Sequence, residues 1–131
     1  MNYKRVLVID DAKIDRYMAE KIMKKYDFTD TVVMVESAMD GLELLEACLE
    51  NPGSLPELIF LDINMPQMSG FDFLDEYARF PEDIKKKCII IMLSSSIHPE
   101  DKYRAMESPY VYKFLSKPLN ADKLQEVSQI I

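Results

Sequence analysis

LIFLDINMPQMSG, residues 58–70, runs four apolar residues, Leu58 to Leu61, straight into Asp62. Met65-Pro66 and Ser69-Gly70 then break the regular pattern. A short continuous apolar run bounded by turn residues reads as a strand covered on both faces, as in a parallel sheet. A carboxylate at the end of such a strand is costly unless something compensates for it. The rest of the chain supplies candidates for that compensation.

Four more runs share the pattern: Val6–Ile9, Thr31–Val35, Cys88–Leu93 and Val111–Leu115. Helical stripes lie between them. Ile14, Met18 and Ile22 recur at i+4 beside Tyr17; Ala38, Leu42, Leu45 and Leu49 make a second stripe; Phe71, Leu74 and Ala78 make a third. A short polar helix is predicted over roughly 99–107, with Tyr103 and Met106 as its apolar contacts. The last helix starts near Asn120, a good N-cap, and carries Leu124, Val127 and Ile131. Strand and helix thus alternate five times, which predicts a doubly wound α/β fold: a five-stranded parallel sheet with helices on both faces and right-handed crossovers.

The chain of 131 residues and 48% hydrophobic content reads as one domain, residues 1–131, with nothing left over for a second. No apolar run is long enough to span a membrane, and the N-terminal run is too short for a signal peptide. The reading is a soluble, cytoplasmic protein. A net charge of -7 and the lack of a basic patch argue against nucleic acid as a partner. Lys85-Lys86-Lys87 reads as a solvated edge before a strand. Cys48 and Cys88 lack CxxC spacing and read as reduced, buried thiols. His98 is the only histidine; it precedes Pro99 and reads as a solvated loop or helix-cap residue.

In open α/β sheets, ligands bind beyond the carboxyl ends of the strands. Asp10 and Asp11 follow the first strand, Asp62 the third, Ser94 to Ser96 the fourth, and Ser116-Lys117-Pro118 the fifth. Taken singly, Asp11 could be a helix N-cap, Lys117-Pro118 a surface turn, and the serines a loop. If strands one and three are neighbours, three carboxylates converge, and like charges held together need a cation. Hard oxygen ligands in small number suit Mg²⁺. With a lysine and a hydroxyl added, the set suits phosphoryl chemistry.

The stretches VLVIDDAKIDR, LIFLDINMPQMSGFDFL, IIIMLSSS and FLSKPL resemble the receiver domain of two-component response regulators, over essentially the whole chain. The resemblance implies a flavodoxin-like (βα)5 fold with strand order 2-1-3-4-5. It implies Asp62 as the phosphoacceptor, with Lys117 on the phosphoryl oxygens and Ser94 hydrogen-bonding one of them. Asp11, Asp62 and the backbone carbonyl of Asn64 would bind Mg²⁺, with Asp10 acting mainly through a metal-bound water. Phe114 matches the aromatic switch position, and Asn64 and Ser96 the positions that tune phosphoryl lifetime. Lys117-Pro118 would be cis. Implied partners are a histidine kinase or histidine phosphotransfer protein and a downstream protein target. The signal would leave by the face of the predicted fourth helix, fifth strand and last helix, which would also serve a phosphorylation-linked homodimer. The chain would be a switch without an output domain, assisting its own phosphorylation and dephosphorylation, rather than an enzyme.

Some positions depart from the family pattern. Ser94 stands where threonine is commoner, Phe114 where tyrosine is frequent, and Glu107-Ser108-Pro109-Tyr110 lacks the usual Gly-Ala. Two rivals are weighed. A haloacid-dehalogenase-type phosphohydrolase needs an acid/base aspartate two residues after its nucleophile, where this chain has Asn64. A flavin-binding module needs a phosphate-cradling loop after strand one, where Asp10 and Asp11 would repel phosphate.

Overall fold

The structure is a computed structural model that describes residues 3–95 and 98–129. The expected Ser96 role and the helical Ile131 lie outside the described residues. The strands are β1 (Tyr3–Ile9), β2 (Thr29–Val35), β3 (Leu58–Asp62), β4 (Ile89–Ser94) and β5 (Val111–Ser116). The helices are α1 (Lys13–Lys25), α2 (Ala38–Ala47), α3 (Gly70–Tyr77), α4 (Glu82–Lys85), α5 (Pro99–Glu107) and α6 (Ala121–Ser128). All neighbouring strands pair in parallel, in the order β2-β1-β3-β4-β5. This is the flavodoxin-like sheet with the expected strand order. The described helices include none long and apolar enough to cross a membrane.

Strand pleating sends alternate side chains to opposite faces. Leu7, Ile9, Ile59 and Leu61 pack on one face with α2 and α3; Val6, Val8, Leu58 and Phe60 pack on the other with α1 and α6. Every residue of β3 is buried. That is why this strand carries no polar residue before Asp62. Tyr3 donates from its hydroxyl to the carbonyl of Val127 at 3.1 Å, tying the start of β1 to α6.

Several helix faces differ from the predicted stripes. On α1 the buried residues are Ala19 and Met23, while Ile14, Tyr17 and Met18 are exposed. On α3 Phe73 and Tyr77 join Phe71 and Leu74, and Ala78 is exposed at the C-cap. On α5 Ala105 is the buried contact, whereas Tyr103 is 73% and Met106 48% exposed. An alanine lies on the buried face of both α1 and α5, a signal that a search for large apolar residues misses. α6 begins as expected, with Asn120 Oδ1 accepting from the Lys123 amide.

The short α4 was not predicted, and Lys85 within it is not a solvated edge. Its ammonium donates to the Ala78 carbonyl at 2.8 Å and the Tyr110 hydroxyl at 3.2 Å, and pairs with Glu82 at 2.8 Å. Lys85 therefore staples the end of α3 to the turn before β5. Cys48 and Cys88 are both free and buried. His98 is exposed at the N-cap position of α5 and makes no side-chain cap.

Tyr77 lies in an aromatic cluster with Phe73, Phe80 and Tyr110 at 5.5–5.9 Å between ring centroids. It is fully buried, and among the described residues its hydroxyl meets only the Cys88 thiol, a weak hydrogen-bonding group, with no oxygen or nitrogen partner. A buried hydroxyl with only a thiol beside it recovers little of its desolvation cost. Tyr77→Phe is therefore expected to raise stability by about 1 kcal/mol in urea titration. A loss of stability of that size would show that the hydroxyl is paired in solution.

Candidate functional site

The sheet register assembles the site. Ile9 pairs with Leu61, so Asp10 and Asp62, the next residues on each chain, emerge side by side. Asp62 pairs with Leu93, which sets Ser94 one step beyond it on the adjacent strand. Ser94 pairs with Ser116, and the Lys117 amide donates to the Ser94 carbonyl at 2.8 Å. That bond extends the parallel ladder by one residue, and the Lys117–Pro118 peptide is cis, as expected. Carboxylate oxygens of Asp10, Asp11 and Asp62 all lie within 4.8 Å of one another. Asp10, Asp62 and Ser94 are buried, while Asp11 is exposed at the mouth.

Lys117 neutralises part of this cluster. Its Nζ stands 2.7 Å from Asp10 Oδ2, 2.9 Å from Asp15 Oδ2 and 3.2 Å from Asp62 Oδ1. One ammonium cannot balance four carboxylates. Burial, then the neighbouring Asp10 charge, pushes the Asp62 pKa up to about 6 from 3.8, against the opposing pull of Lys117. Burial would lower the Lys117 pKa, but its hydrogen bonds to Asp10 and Asp15 and the charge of Asp62 outweigh that and raise it. The donor set is hard oxygen in excess negative charge, which fits a small divalent cation.

Asp11 does not cap α1. The N-cap is Ala12, without a side-chain cap bond, and Asp10 Oδ1 accepts from the Ala12 amide at 2.9 Å. Arg16 fixes the same corner by donating to the Asp10 carbonyl at 2.8 Å while pairing with Glu36 at 3.4 Å. Sequence reading missed Asp15 and Arg16 as site residues. Both lie within the DDAKIDR stretch, one helical turn beyond the paired aspartates, and that spacing was the available signal.

The loop after β3 is tightly turned. Gln67 has φ of 70°, and the Met68 amide donates to the Pro66 carbonyl at 2.7 Å. Asn64 is exposed within this loop. Ser69 caps α3 in a capping box with Asp72. Gly70 then packs directly behind the acidic cluster: a Cβ there would stand 2.6 Å from the Asp62 carbonyl oxygen and 3.1 Å from the Ile63 Cα. Backbone cannot yield as a side-chain tip can. Gly70→Ala is thus expected to cost about 1–3 kcal/mol in denaturant unfolding by overpacking, and to displace the Asp62 peptide. An unchanged midpoint would refute the close approach.

Phe114 is half-buried and packs against the same core as α2 and α3. The predicted residues Asp10, Asp11, Asp62, Ser94 and Lys117 all converge at the carboxyl end of the sheet, with Asn64 in the adjoining loop.

Comparisons with known proteins agree with this geometry. The family model described as response regulator receiver domain matches residues 6–129. The chain is 30% identical over 122 residues to the chemotaxis protein CheY of Bacillus subtilis, covering 93% of this chain and 92% of that protein. It is also 30% identical to the sensor histidine kinase CheAY of Helicobacter pylori, covering 93% of this chain but only 14% of that much longer protein. Among solved structures, a two-component response regulator from Cytophaga hutchinsonii superposes with a TM-score of 0.92 at 29% identity, covering 98% of this chain and 96% of the other. Receiver domains are phosphoryl-transfer switches that generally accept the group rather than catalyse turnover. An acidic cluster built by parallel-strand register, bridged by a lysine after the fifth strand, is the arrangement such a switch requires, and the chain belongs to the response regulator receiver domains of two-component signal transduction.

Proposed function

We propose that Asp62 is the phosphoacceptor of this receiver domain. One of its carboxylate oxygens bonds to phosphorus as the P–N bond to a donor phosphohistidine breaks, and the released imidazole takes up a proton. Asp11, Asp62 and the Asn64 carbonyl would hold Mg²⁺, with Asp10 acting mainly through a bound water, and the ion would neutralise charge on the phosphoryl oxygens. The buried strand end holds the nucleophile rigid. Lys117 contacts a phosphoryl oxygen, and Ser94 donates its hydroxyl to another. Asn64 and Ser96 tune how long the group persists. The observation that carries this reading is the Lys117 ammonium lying between Asp62 and Asp10 at 3.2 and 2.7 Å.

The phosphoryl group brings a charge of about -1.5 to -2 and strong acceptor oxygens to the site. As Ser94 and Lys117 are drawn to it, Phe114 repacks, and the surface of α5, β5 and α6 changes. Tyr103, Met106 and Tyr112 are exposed on this surface, which supports its use for a protein target or a phosphorylation-linked homodimer. Donors would be a histidine kinase or a histidine phosphotransfer protein. The exposed Ile14, Tyr17 and Met18 of α1 support docking of such a donor beside the site. The chain turns over no other substrate; it assists only its own phosphorylation and dephosphorylation. It works in the cytoplasm, and its signal passes by protein contact or onward transfer.

The test is intact mass after incubation with Mg²⁺ and acetyl phosphate. One added phosphoryl group that EDTA prevents is the expected result. No adduct, together with no binding of beryllofluoride, would overturn the reading.

A further inference from the structure

An ammonium has three N–H donors. Three carboxylate oxygens surround that of Lys117, from Asp10, Asp15 and Asp62 at 2.7, 2.9 and 3.2 Å, and the Asp15 contact is a hydrogen bond. Asp62 is the most distant of these, and its contact is the one that a phosphoryl oxygen would replace. Asp10 and Asp15 make the two closer contacts and come from β1's end and the first turn of α1. The Asp15 contact joins residues 102 positions apart. Only about a tenth of the Lys117 side chain is exposed, against about a third of Asp15. Beside the pair lies a cavity of about 20 Å³, room for about one water, lined by Asp15, Lys117, Met18 and Leu119 among others.

We propose that Asp15 is a positioning residue for Lys117. With Asp10 it forms a two-point mount that fixes the ammonium on the acceptor side of the site, while the third N–H stays exchangeable between Asp62 and the incoming phosphoryl group. This proposal rests on the phosphoacceptor reading above. A lysine stem has many rotamers, and one carboxylate holds it less firmly than two. A misplaced charge loses much of its effect on a transition state. Asp15 touches no reacting atom in this scheme, so its influence is exerted through Lys117 alone.

The experiment compares wild type, Asp15→Ala and Asp15→Asn. The first readout is the amine reactivity of Lys117 without Mg²⁺, mapped by mass spectrometry after brief acylation and normalised to the exposed Lys21. The second is the rate of phosphoryl incorporation from acetyl phosphate at saturating Mg²⁺. Asp15→Ala is expected to raise Lys117 labelling and to slow incorporation about tenfold. Asp15→Asn keeps an acceptor in place and is expected to recover incorporation to within about threefold of wild type. A merely structural role would lower the unfolding midpoint but leave Lys117 labelling, read at a temperature where every variant is folded, unchanged. Unchanged labelling, or faster incorporation by Asp15→Ala, would overturn the proposal. If wild type itself takes up no phosphoryl group, the phosphoacceptor reading has failed, and the labelling result alone still decides whether Asp15 mounts Lys117.

Discussion

Asp62→Asn is expected to take up no phosphoryl group from acetyl phosphate under conditions where the wild-type chain gains one. The amide is close in size to the carboxyl group but is not a nucleophile. The nearby carboxylates are poor substitutes. Asp10 has both oxygens engaged, one by the Ala12 amide at 2.9 Å and the other by Lys117 at 2.7 Å. Asp11 is exposed on the connection to α1 and lacks the support of a buried strand end. The expected loss is to background in intact-mass measurement, with the wild-type adduct mapping to Asp62 after proteolysis. An adduct on the variant that maps to Asp10 or Asp11 would sink the assignment.

The second large effect is on stability, and its sign follows from the same crowding. The Asp62 pKa in the folded chain is about 6 against an ordinary 3.8, first because of burial and then because of Asp10. Between those values the folded state binds a proton that the unfolded state has lost. Stability therefore falls as pH rises from about 4 to about 6, and the deficit above that amounts to about 3 kcal/mol. Lys117 stays charged throughout this window and does not change the slope. Asparagine resembles the protonated carboxyl group. Without Mg²⁺ at pH 7, Asp62→Asn is expected to be more stable than wild type by about 2–3 kcal/mol, with the gap closing toward pH 4. Added Mg²⁺ is expected to stabilise the wild type more than the variant, because a ligand of the folded state shifts the unfolding equilibrium by mass action. Urea titrations at pH 4 and 7, with and without Mg²⁺, measure all four quantities. Equal stability at pH 7 without Mg²⁺ would mean that the carboxylates are not in conflict.

Crowding of this kind is a cost to folding that the proposed switch puts to use. A site relaxed without a ligand would have little reason to recruit one. Here the negative charge remaining after Lys117 favours a divalent cation, and the cation in turn would permit an anionic phosphoryl group to approach. Gly70 packs against the peptide of Asp62 from behind, so the acidic cluster is not free to spread.

Much of the site was legible because its residues stand at the ends of apolar runs. Val6–Ile9 and Leu58–Leu61 are long enough and apolar enough to be central strands, and Asp10 and Asp62 follow them directly. The helix faces were harder to read. Ile14, Met18 and Ile22 make an apolar stripe at i+4, yet α1 turns Ala19 and Met23 inward. When two faces of one helix are both apolar, periodicity cannot choose between them; packing on the sheet does, and here it takes Ala19 and Met23 and leaves Ile22 half-buried. Lys85 was read as solvated because lysines usually are, but the short α4 carries it beneath Tyr110, where three oxygen partners compensate its burial.

By itself the sequence determined the alternation of strand and helix, the both-sided burial of β1 and β3, and the acidic residues at their ends. These are local properties, written as runs, periods and turn residues within a few positions of one another. Only the tertiary structure decided which helix faces are buried, that Lys85 is a staple, and that Asp15 shares Lys117 with Asp10 and Asp62. The physical reason is distance along the chain. A single ammonium finds its carboxylates from two strand ends and a helix only after the sheet has set its register, and a register between strands is written in no single segment.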